Sequence, residues 1–188
     1  MQNEKTEVQE KESTIDEASK LLSNTYLFKE MDFDTVKSIF TEGTVEFYKK
    51  GSHPVIEGDP TVGIYMIIEG CLAVYRDDKI NRQRHKIATL KKGDAFGELS
   101  LFTEQPRIAT VYCETNTTLF FLGEEAFKRA IEDRDDSLKA TFYKNCVQSL
   151  SKRLRTLNQD YIVSQQQLWK YALSPKQRGE NQPDSTSQ

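Results

Sequence analysis

Cysteines are few in this sequence, and a long apolar run is absent. The three cysteines, Cys71, Cys113 and Cys146, are odd in number and far apart, which indicates neither a disulfide framework nor a zinc cluster and favours a reducing compartment. No run approaches the roughly 20 apolar residues that cross a bilayer, and the start, MQNEKTEVQEKES, lacks the apolar core of a signal peptide. The sequence therefore predicts a cytoplasmic protein without a membrane segment.

Histidine and excess positive charge are also scarce. The two histidines, His53 and His85, stand far apart, whereas a metal-dependent enzyme needs clustered histidine and carboxylate ligands. We therefore predict no metal, no cofactor and no enzymatic activity. The formal net charge of -3 disfavours nucleic acid as a partner, and the basic run KRLR at 152–155 is interpreted as a solvated helix face.

The length of 188 residues suits one domain with extensions. Residues 1–13 and 173–188 are polar and are predicted to be disordered tails. Residues 14–135 are assigned to one domain that begins with two short helices. STIDEASKLLSN, with Ser13 and Thr14 as possible N-caps, forms the first, and DFDTVKSIF forms the second.

Between residues 45 and 122 the pattern changes to short β-branched or aromatic segments separated by turn residues. They read VEFYKKGS, HPVIEGDP, GIYMIIEG, CLAVYRDD, HKIATLKKGD, ATVYCETN and TTLFFLG. This spacing predicts an antiparallel jelly-roll β-barrel rather than parallel α/β units. The fold class is mainly β with flanking helices, and EEAFKRAIED follows as a helix.

Residues 136–172 are predicted to form one long helix. An apolar seam with alternating spacings of four and three residues, the a/d pattern of a coiled coil, runs through Tyr143, Val147, Leu150, Leu154, Leu157, Tyr161, Ser164, Leu168 and Tyr171. Such a helix is about 54 Å long, which exceeds a compact domain of this size. We therefore predict pairing between two copies, with packing of the seam on its own barrel as the alternative.

The stretch GDAFGELSLFTEQPRIATV, residues 93–111, combines a glycine, an acid and an arginine in an unusual order. A helix that starts at Gly97 can hold a phosphate at its unpaired N–H groups, and Arg107 can add a bidentate guanidinium. Glu98 would repel a phosphate but can accept hydrogen bonds from ribose hydroxyls. The stretch predicts a nucleotide site, with a structural Glu98–Arg107 ion pair as the alternative.

FGELSLFTEQPRIATV resembles the phosphate-binding cassette of the cyclic nucleotide-binding domain family, including the interval from Glu98 to Arg107. Upstream, VEFYKKGSHPVIEGDPTVGIYMIIEGCLAVYR resembles the first four strands of that family, with its turn at Gly58-Asp59. The resemblance spans about residues 20–160. The order of a β-barrel, a short helix and a long helix is similar to that of the bacterial catabolite activator branch.

The resemblance implies a role for each cassette residue. Glu98 would bind the ribose 2′-hydroxyl, and Arg107 the exocyclic phosphate oxygens. The backbone amides near four residues would hold the rest of the cyclic phosphate: Gly97, Leu99, Ser100 and Ala109. Apolar walls around the base and sugar are expected from Val74, Ile87, Phe96 and Val111.

Two further residues bear on the choice of base. Ile108 follows the arginine where cyclic GMP binders of the family often place a hydroxyl, so the resemblance favours cyclic AMP over cyclic GMP. A bulky isoleucine could instead crowd the site. Asn158, on the long helix near the family's base-contacting positions, could read an adenine edge as donor and acceptor.

The resemblance implies a cyclic AMP receptor that changes conformation on binding and signals to a separate, unidentified protein as a homodimer. The catabolite activator branch continues into a DNA-binding helix-turn-helix, which is not expected in the polar residues after Ala172. The alternative is a degenerate, non-binding scaffold protein that dimerises through its C-terminal helix.

Overall fold

The computed structural model describes residues 15–78, 83–103 and 105–173 of the chain. The predicted tails, apart from Leu173, and the N-cap candidates Ser13 and Thr14 lie outside these residues. The helical elements are α1 at 15–23, a 3-10 turn at Tyr26–Phe28, α2 at Phe33–Glu42, α3 at Glu98–Thr103, α4 at Glu124–Phe127, a π-helical turn at Lys128–Glu132 and α5 at Asp136–Leu173.

Both predicted N-terminal helices are present. In α2 the backbone N–H of Thr35 donates to the carboxylate of Asp32 at 2.9 Å, so Asp32 is the N-cap. Val36 and Ile39 lie three residues apart on one face of α2 and are fully buried. The DFDTVKSIF pattern is therefore confirmed as a short amphipathic helix.

The described strands form two antiparallel sheets. The strands are β1 at Thr44–Tyr48, β2 at Gly63–Glu69, β3 at Cys71–Asp77, β4 at Arg84–Lys91, β5 at Ala95–Phe96, β6 at Thr110–Cys113 and β7 at Thr117–Gly123. One sheet has the order β1-β7-β2-β5 and the other β4-β3-β6. The predicted class, mainly β with flanking helices and a long C-terminal helix, is confirmed. Among the described residues, HPVIEGDP contributes only the bridge between Val55 and Val111 rather than a full strand.

Strand β2 is buried on both of its faces. Ile64 and Met66 point into a core cluster shared with the helices, and Tyr65 and Ile67 point into a second cluster shared with the other sheet. Side chains alternate along a strand, so one strand serves both cores. The second cluster includes Phe96 and Val111, the first and last residues of the cassette.

Helix α5 runs from Asp136 to Leu173. It is one residue longer than the predicted helix at 136–172, so Leu173 belongs to the helix rather than to the predicted tail. Phe142, Asn145 and Cys146 are buried near its start. The side-chain amide of Asn145 donates to the carbonyl oxygens of Leu27 at 3.0 Å and Lys29 at 2.7 Å. These contacts bind the first turns of α5 to the 3-10 turn and the residue after it.

The chain divides into two units, 1–148 and 149–188. In the described part of the second unit, residues 151–173 are exposed except for the half-buried Gln165. Large apolar side chains are among the exposed ones: Leu154, Leu157, Tyr161, Ile162, Val163, Leu168, Trp169, Tyr171 and Leu173. None of the described helices is long and apolar enough to span a membrane.

Candidate functional site

The candidate site begins where β5 ends. Phe96 pairs with Tyr65 of β2, Gly97 follows with a φ of 87°, and α3 starts at Glu98. This φ lies in the left-handed region that favours glycine. A Cβ at position 97 would overlap Nη1 of Arg107 and lie 2.8 Å from the carbonyl oxygen of Gly63. Gly97 thus permits both the turn and the close approach of Arg107.

The guanidinium of Arg107 lies inside the protein, with 5 % of the residue exposed. Its Nη1 donates to the carbonyl oxygens of Gly63 at 2.8 Å and Gly97 at 3.1 Å, and to Oγ of Ser100 at 3.0 Å. The Ser100 hydroxyl in turn donates to the Gly97 carbonyl at 2.8 Å. These hydrogen bonds of the guanidinium go to neutral oxygens.

The other nitrogens of the same guanidinium are unsatisfied. Within the described part of the chain, Nε and Nη2 of Arg107 are buried and have no hydrogen-bond partner. Burial lowers the pKa of Arg107, while the negative charges of Asp59 and Glu98 act in the opposite direction. A buried cation with unpaired donors carries a large desolvation cost, and a planar pair of free donors matches two oxygens of an anion.

A loop from β1 to β2 holds the backbone of Arg107. The N–H of Gly58 donates to the Arg107 carbonyl at 2.7 Å, and the N–H of Arg107 donates to the Asp59 carbonyl at 2.9 Å. The N–H of Glu57 donates to Oγ1 of Thr110 at 3.1 Å. The Gly58-Asp59 turn, which carried part of the resemblance, therefore packs directly against the cassette.

The structure brings most of the predicted cassette residues together. Glu98 is 4 % exposed. Ser100 is buried and accepts a hydrogen bond from Arg107, and Ala109 is buried two residues after Arg107 in the chain. Leu99 and Ile108 differ, because both are exposed, Ile108 to 50 %. Ile108 is therefore not part of the protein core.

Three of the four predicted wall residues belong to the second core cluster. Phe96 and Val111 are buried in it, and Val74 packs against it opposite Val111 in the β3–β6 register. Ile87 is exposed and sits where the β3–β4 register shifts between Val74 and Tyr75. Ile87 is therefore not among the residues of that cluster, and its role as a wall stays a prediction.

Asn158 belongs to the second unit and is exposed on α5. Its contact with a base stays a prediction. Among the described residues, no group of histidine, cysteine, aspartate and glutamate side chains could hold a metal ion.

Sequence reasoning missed Gly63 and Tyr65. Gly63 supplies a backbone oxygen to Arg107, and the guanidinium carbon lies 5.6 Å from the centre of the Tyr65 ring. Both residues are in β2, more than 40 positions before Arg107 in the chain. The only local signal in the sequence was Tyr65 itself, an aromatic residue directly before the apolar residues 66–68 of β2.

Comparison with known proteins finds a similar family, similar sequences and similar folds. Residues 45–134 match the model of the cyclic nucleotide-binding domain family. A cAMP-dependent protein kinase regulatory subunit of Aspergillus niger is 30 % identical over 98 residues, which are 52 % of this chain and 23 % of that protein. The matched part thus spans about a quarter of such a regulatory subunit.

Two solved structures are similar in fold. The catabolite activator protein of Thermus thermophilus has a TM-score of 0.65 at 23 % identity, covering 75 % of this chain and 63 % of that one. A cyclic nucleotide-binding domain from Methylobacillus flagellatus has a TM-score of 0.69 at 21 % identity, covering 81 % and 84 %. The resemblance identified from the cassette is confirmed.

Proposed function

We propose that this chain, whose residues 45–134 form a cyclic nucleotide-binding domain similar to those of protein kinase regulatory subunits, is a receptor for cyclic AMP. The observation that carries the proposal is the guanidinium of Arg107, which is buried with Nε and Nη2 unpartnered in the described structure. The exocyclic oxygens of a cyclic phosphate would accept from these nitrogens and neutralise the buried charge.

Glu98 takes the ribose in this proposal. It is buried at the first position of α3, one residue after the glycine that contacts Arg107. A carboxylate there accepts from a hydroxyl and is repelled by phosphate, so the two charged residues divide the ligand between them. The alternative structural ion pair is disfavoured, because the hydrogen bonds of the Arg107 guanidinium in the described structure go to neutral oxygens.

Cyclic AMP is the proposed ligand rather than cyclic GMP. Ile108 has no hydroxyl for a guanine amino group, and its exposed side chain supports an open rather than a crowded site. Phe96, Val74 and Val111 lie in the adjoining apolar cluster and are proposed to face the sugar or base. Asn158 is retained as a proposed contact to the adenine edge.

The signal is proposed to pass from the cassette helix to α5. Leu101 of α3 packs against the helical core cluster, and the ring of Phe102 lies 5.8 Å from that of Tyr143 at the start of α5. A ligand that binds one arrangement of α3 and α5 better than another shifts the population toward it. Such a shift would alter the surface that a separate, unidentified protein contacts.

We also propose that two copies pair through α5. Its seam leaves Leu154, Leu157 and Leu168 exposed in the described chain, and a second identical seam can cover them in a coiled coil. Binding and signalling without catalysis remain part of the proposal, as does the cytoplasmic location.

Calorimetric titration with cyclic AMP tests the binding site. Wild type should bind, Arg107→Ala should lose about 100-fold or more in affinity because a buried ion pair is broken, and Glu98→Gln should lose about 10-fold through one charged hydrogen bond. Arg129→Ala is the control, since Arg129 is an exposed arginine bound to Glu42 at 2.9 Å. Equal, unchanged affinities in both site variants would remove the proposed site.

Thermal unfolding tests ligand choice. Cyclic AMP at 100 times its dissociation constant should stabilise the fold by about 2.7 kcal/mol, or roughly 5–10 °C for a chain of this size. Cyclic GMP and linear AMP at the same concentration should give smaller shifts. Equal shifts with cyclic AMP and cyclic GMP would contradict the adenine preference.

A further inference from the structure

Tyr65 is buried at the centre of an aromatic stack. Its ring lies 5.1 Å from that of Phe96 with an interplanar angle of 11°, and 4.4 Å from that of Phe121 with an angle of 27°. These three residues belong to β2, β5 and β7, neighbours in one sheet. These two ring contacts, from the strands on either side of β2, therefore restrain the plane of Tyr65.

The guanidinium of Arg107 lies over this fixed ring, with Cζ 5.6 Å from the ring centre. A cation at this distance from an aromatic face is attracted by the negative charge of that face. Burial raises the pKa of the Tyr65 hydroxyl above its ordinary value, so the phenol stays neutral and protonated at neutral pH. The contact is a cation–π interaction rather than an ion pair.

The hydrogen bonds of Arg107 leave its orientation incompletely determined. All three are made by Nη1, while Nε and Nη2 have no partner in the described structure. Hydrogen bonds to one nitrogen anchor that end of the group but allow the plane to rotate about it. An aromatic ring against the guanidinium opposes this rotation, because the planar cation prefers to stay in contact with the ring face.

We propose that Tyr65 is a positioning residue of the phosphate site, which holds the plane of the Arg107 guanidinium so that Nε and Nη2 face the ligand oxygens. This inference rests on the proposed function and extends it to a residue outside the cassette. A ligand then meets donors that are already oriented, which reduces the ordering cost of binding.

The first test measures cyclic AMP affinity of the full chain by calorimetry. Tyr65→Phe keeps the ring and should bind within about twofold of wild type. Tyr65→Leu removes the ring and should lose about 2- to 30-fold, the range expected for a cation–π contact. Ile67→Ala is the matched control, because Ile67 lies on the same strand in the same cluster and should lower thermal stability without changing affinity.

A double-mutant cycle separates positioning from a general structural effect. If Tyr65 acts through Arg107, Tyr65→Leu should cost less than about twofold in affinity when Arg107→Lys is already present. An equal loss on both backgrounds, or an unchanged affinity of the single Tyr65→Leu variant, would overturn the inference.

A ligand-free measurement keeps this inference distinct from the proposed function. The Nε–H resonance of Arg107 in nuclear magnetic resonance spectra should be shifted upfield by the Tyr65 ring current in wild type and Tyr65→Phe, and should lose that shift in Tyr65→Leu. A wild-type protein that fails to bind cyclic AMP would contradict the proposed function. An identical Nε–H position in all three proteins would overturn the Tyr65 contact itself.

Discussion

In the described chain, the cassette buries polar atoms that have no hydrogen-bond partner, whereas the exposed part of α5 leaves apolar side chains in water. Around Arg107, polar atoms are buried with no partner in the described structure. Along α5, apolar side chains such as Leu157, 64 % exposed, face outward. Buried unpaired donors are costly, and so is a continuous apolar stripe in water. Each region is consistent with a binding partner, but of a different kind.

The difference indicates the size and chemistry of each partner. Two nitrogens of one guanidinium can be satisfied by a small anion with two oxygens. The α5 seam extends over several turns, and a second copy in the proposed pairing would offer an apolar surface of similar length. The first partner is expected to alter affinity and thermal stability, and the second to alter mass in solution.

Gly97→Ala should have the largest effect of these variants, and it acts on the cassette. The added methyl would overlap Nη1 of Arg107 and approach the Gly63 carbonyl to 2.8 Å at a φ of 87°. We expect the guanidinium to be displaced and cyclic AMP affinity to fall by about 100-fold or more, equivalent to breaking a buried charged contact. Calorimetric titration measures the change.

Gly93→Ala is the control for Gly97→Ala. Gly93 has the same φ of 87°, but nothing lies within 4 Å of a Cβ placed there. Both variants thus carry similar backbone strain, of order 1 kcal/mol, and only Gly97→Ala meets Arg107. Similar affinity losses in the two would show that strain, rather than displacement of Arg107, is responsible.

Leu157→Glu should weaken the pairing of two copies through α5. It places a charge in the centre of the seam, and we expect the dimer dissociation constant to rise by about 100-fold, since desolvating a charge in an interface costs about 3 kcal/mol. Light scattering measures the mass. Val163→Glu is the control, because Val163 is also exposed on α5 but lies off the seam. A wild-type protein that is monomeric at tens of micromolar refutes the pairing.

Asn145→Ala gives a contrast to the Arg107 site, because Asn145 is a buried polar residue whose side-chain amide has hydrogen-bond partners. Removing it leaves the carbonyls of Leu27 and Lys29 without this donor, so the free energy of unfolding should fall by about 1–3 kcal/mol. Urea unfolding measures the loss. Asn158→Ala, at an exposed position of the same helix, should change it little, and equal effects would contradict the assigned role of the buried amide.

Ser164→Leu also tests the α5 seam, and its expected effect is the smallest of these variants. Ser164 is the polar interruption in the a/d pattern and is exposed in the described chain. A leucine there would be buried between two copies and should tighten the dimer by about 1–2 kcal/mol, or roughly 5- to 30-fold. Sedimentation equilibrium measures the dissociation constant, and an unchanged value would place position 164 outside the interface.

Local patterns predicted the elements well where periodicity was strong. The α2 helix, six of the described strands and the span of α5 follow from spacing and turn residues in the sequence. HPVIEGDP has strand-forming residues but makes one bridge to Val111, because its other backbone hydrogen bonds go to the Arg107 backbone, to the Thr110 side chain and to a turn within the segment itself. The two-residue strand β5 is too short to give a pattern of its own.

The candidate site was predictable only in part. The cassette is contiguous, so Gly97, Glu98 and Arg107 could be identified from one stretch of sequence. Gly63 and Tyr65 reach the site through the antiparallel pairing of β2 with β5, and a register of this kind is set by tertiary structure. The side-chain role of Ser100, which accepts from Arg107, likewise requires the position of the guanidinium.

The chain contains one tryptophan, Trp169, and it lies 65 % exposed on α5. Its emission is therefore a native optical signal from that helix alone, with no label and no background from a second indole. A blue shift at rising protein concentration would report covering of α5, and a blue shift on adding nucleotide at constant concentration would report a change that reaches the helix from the cassette.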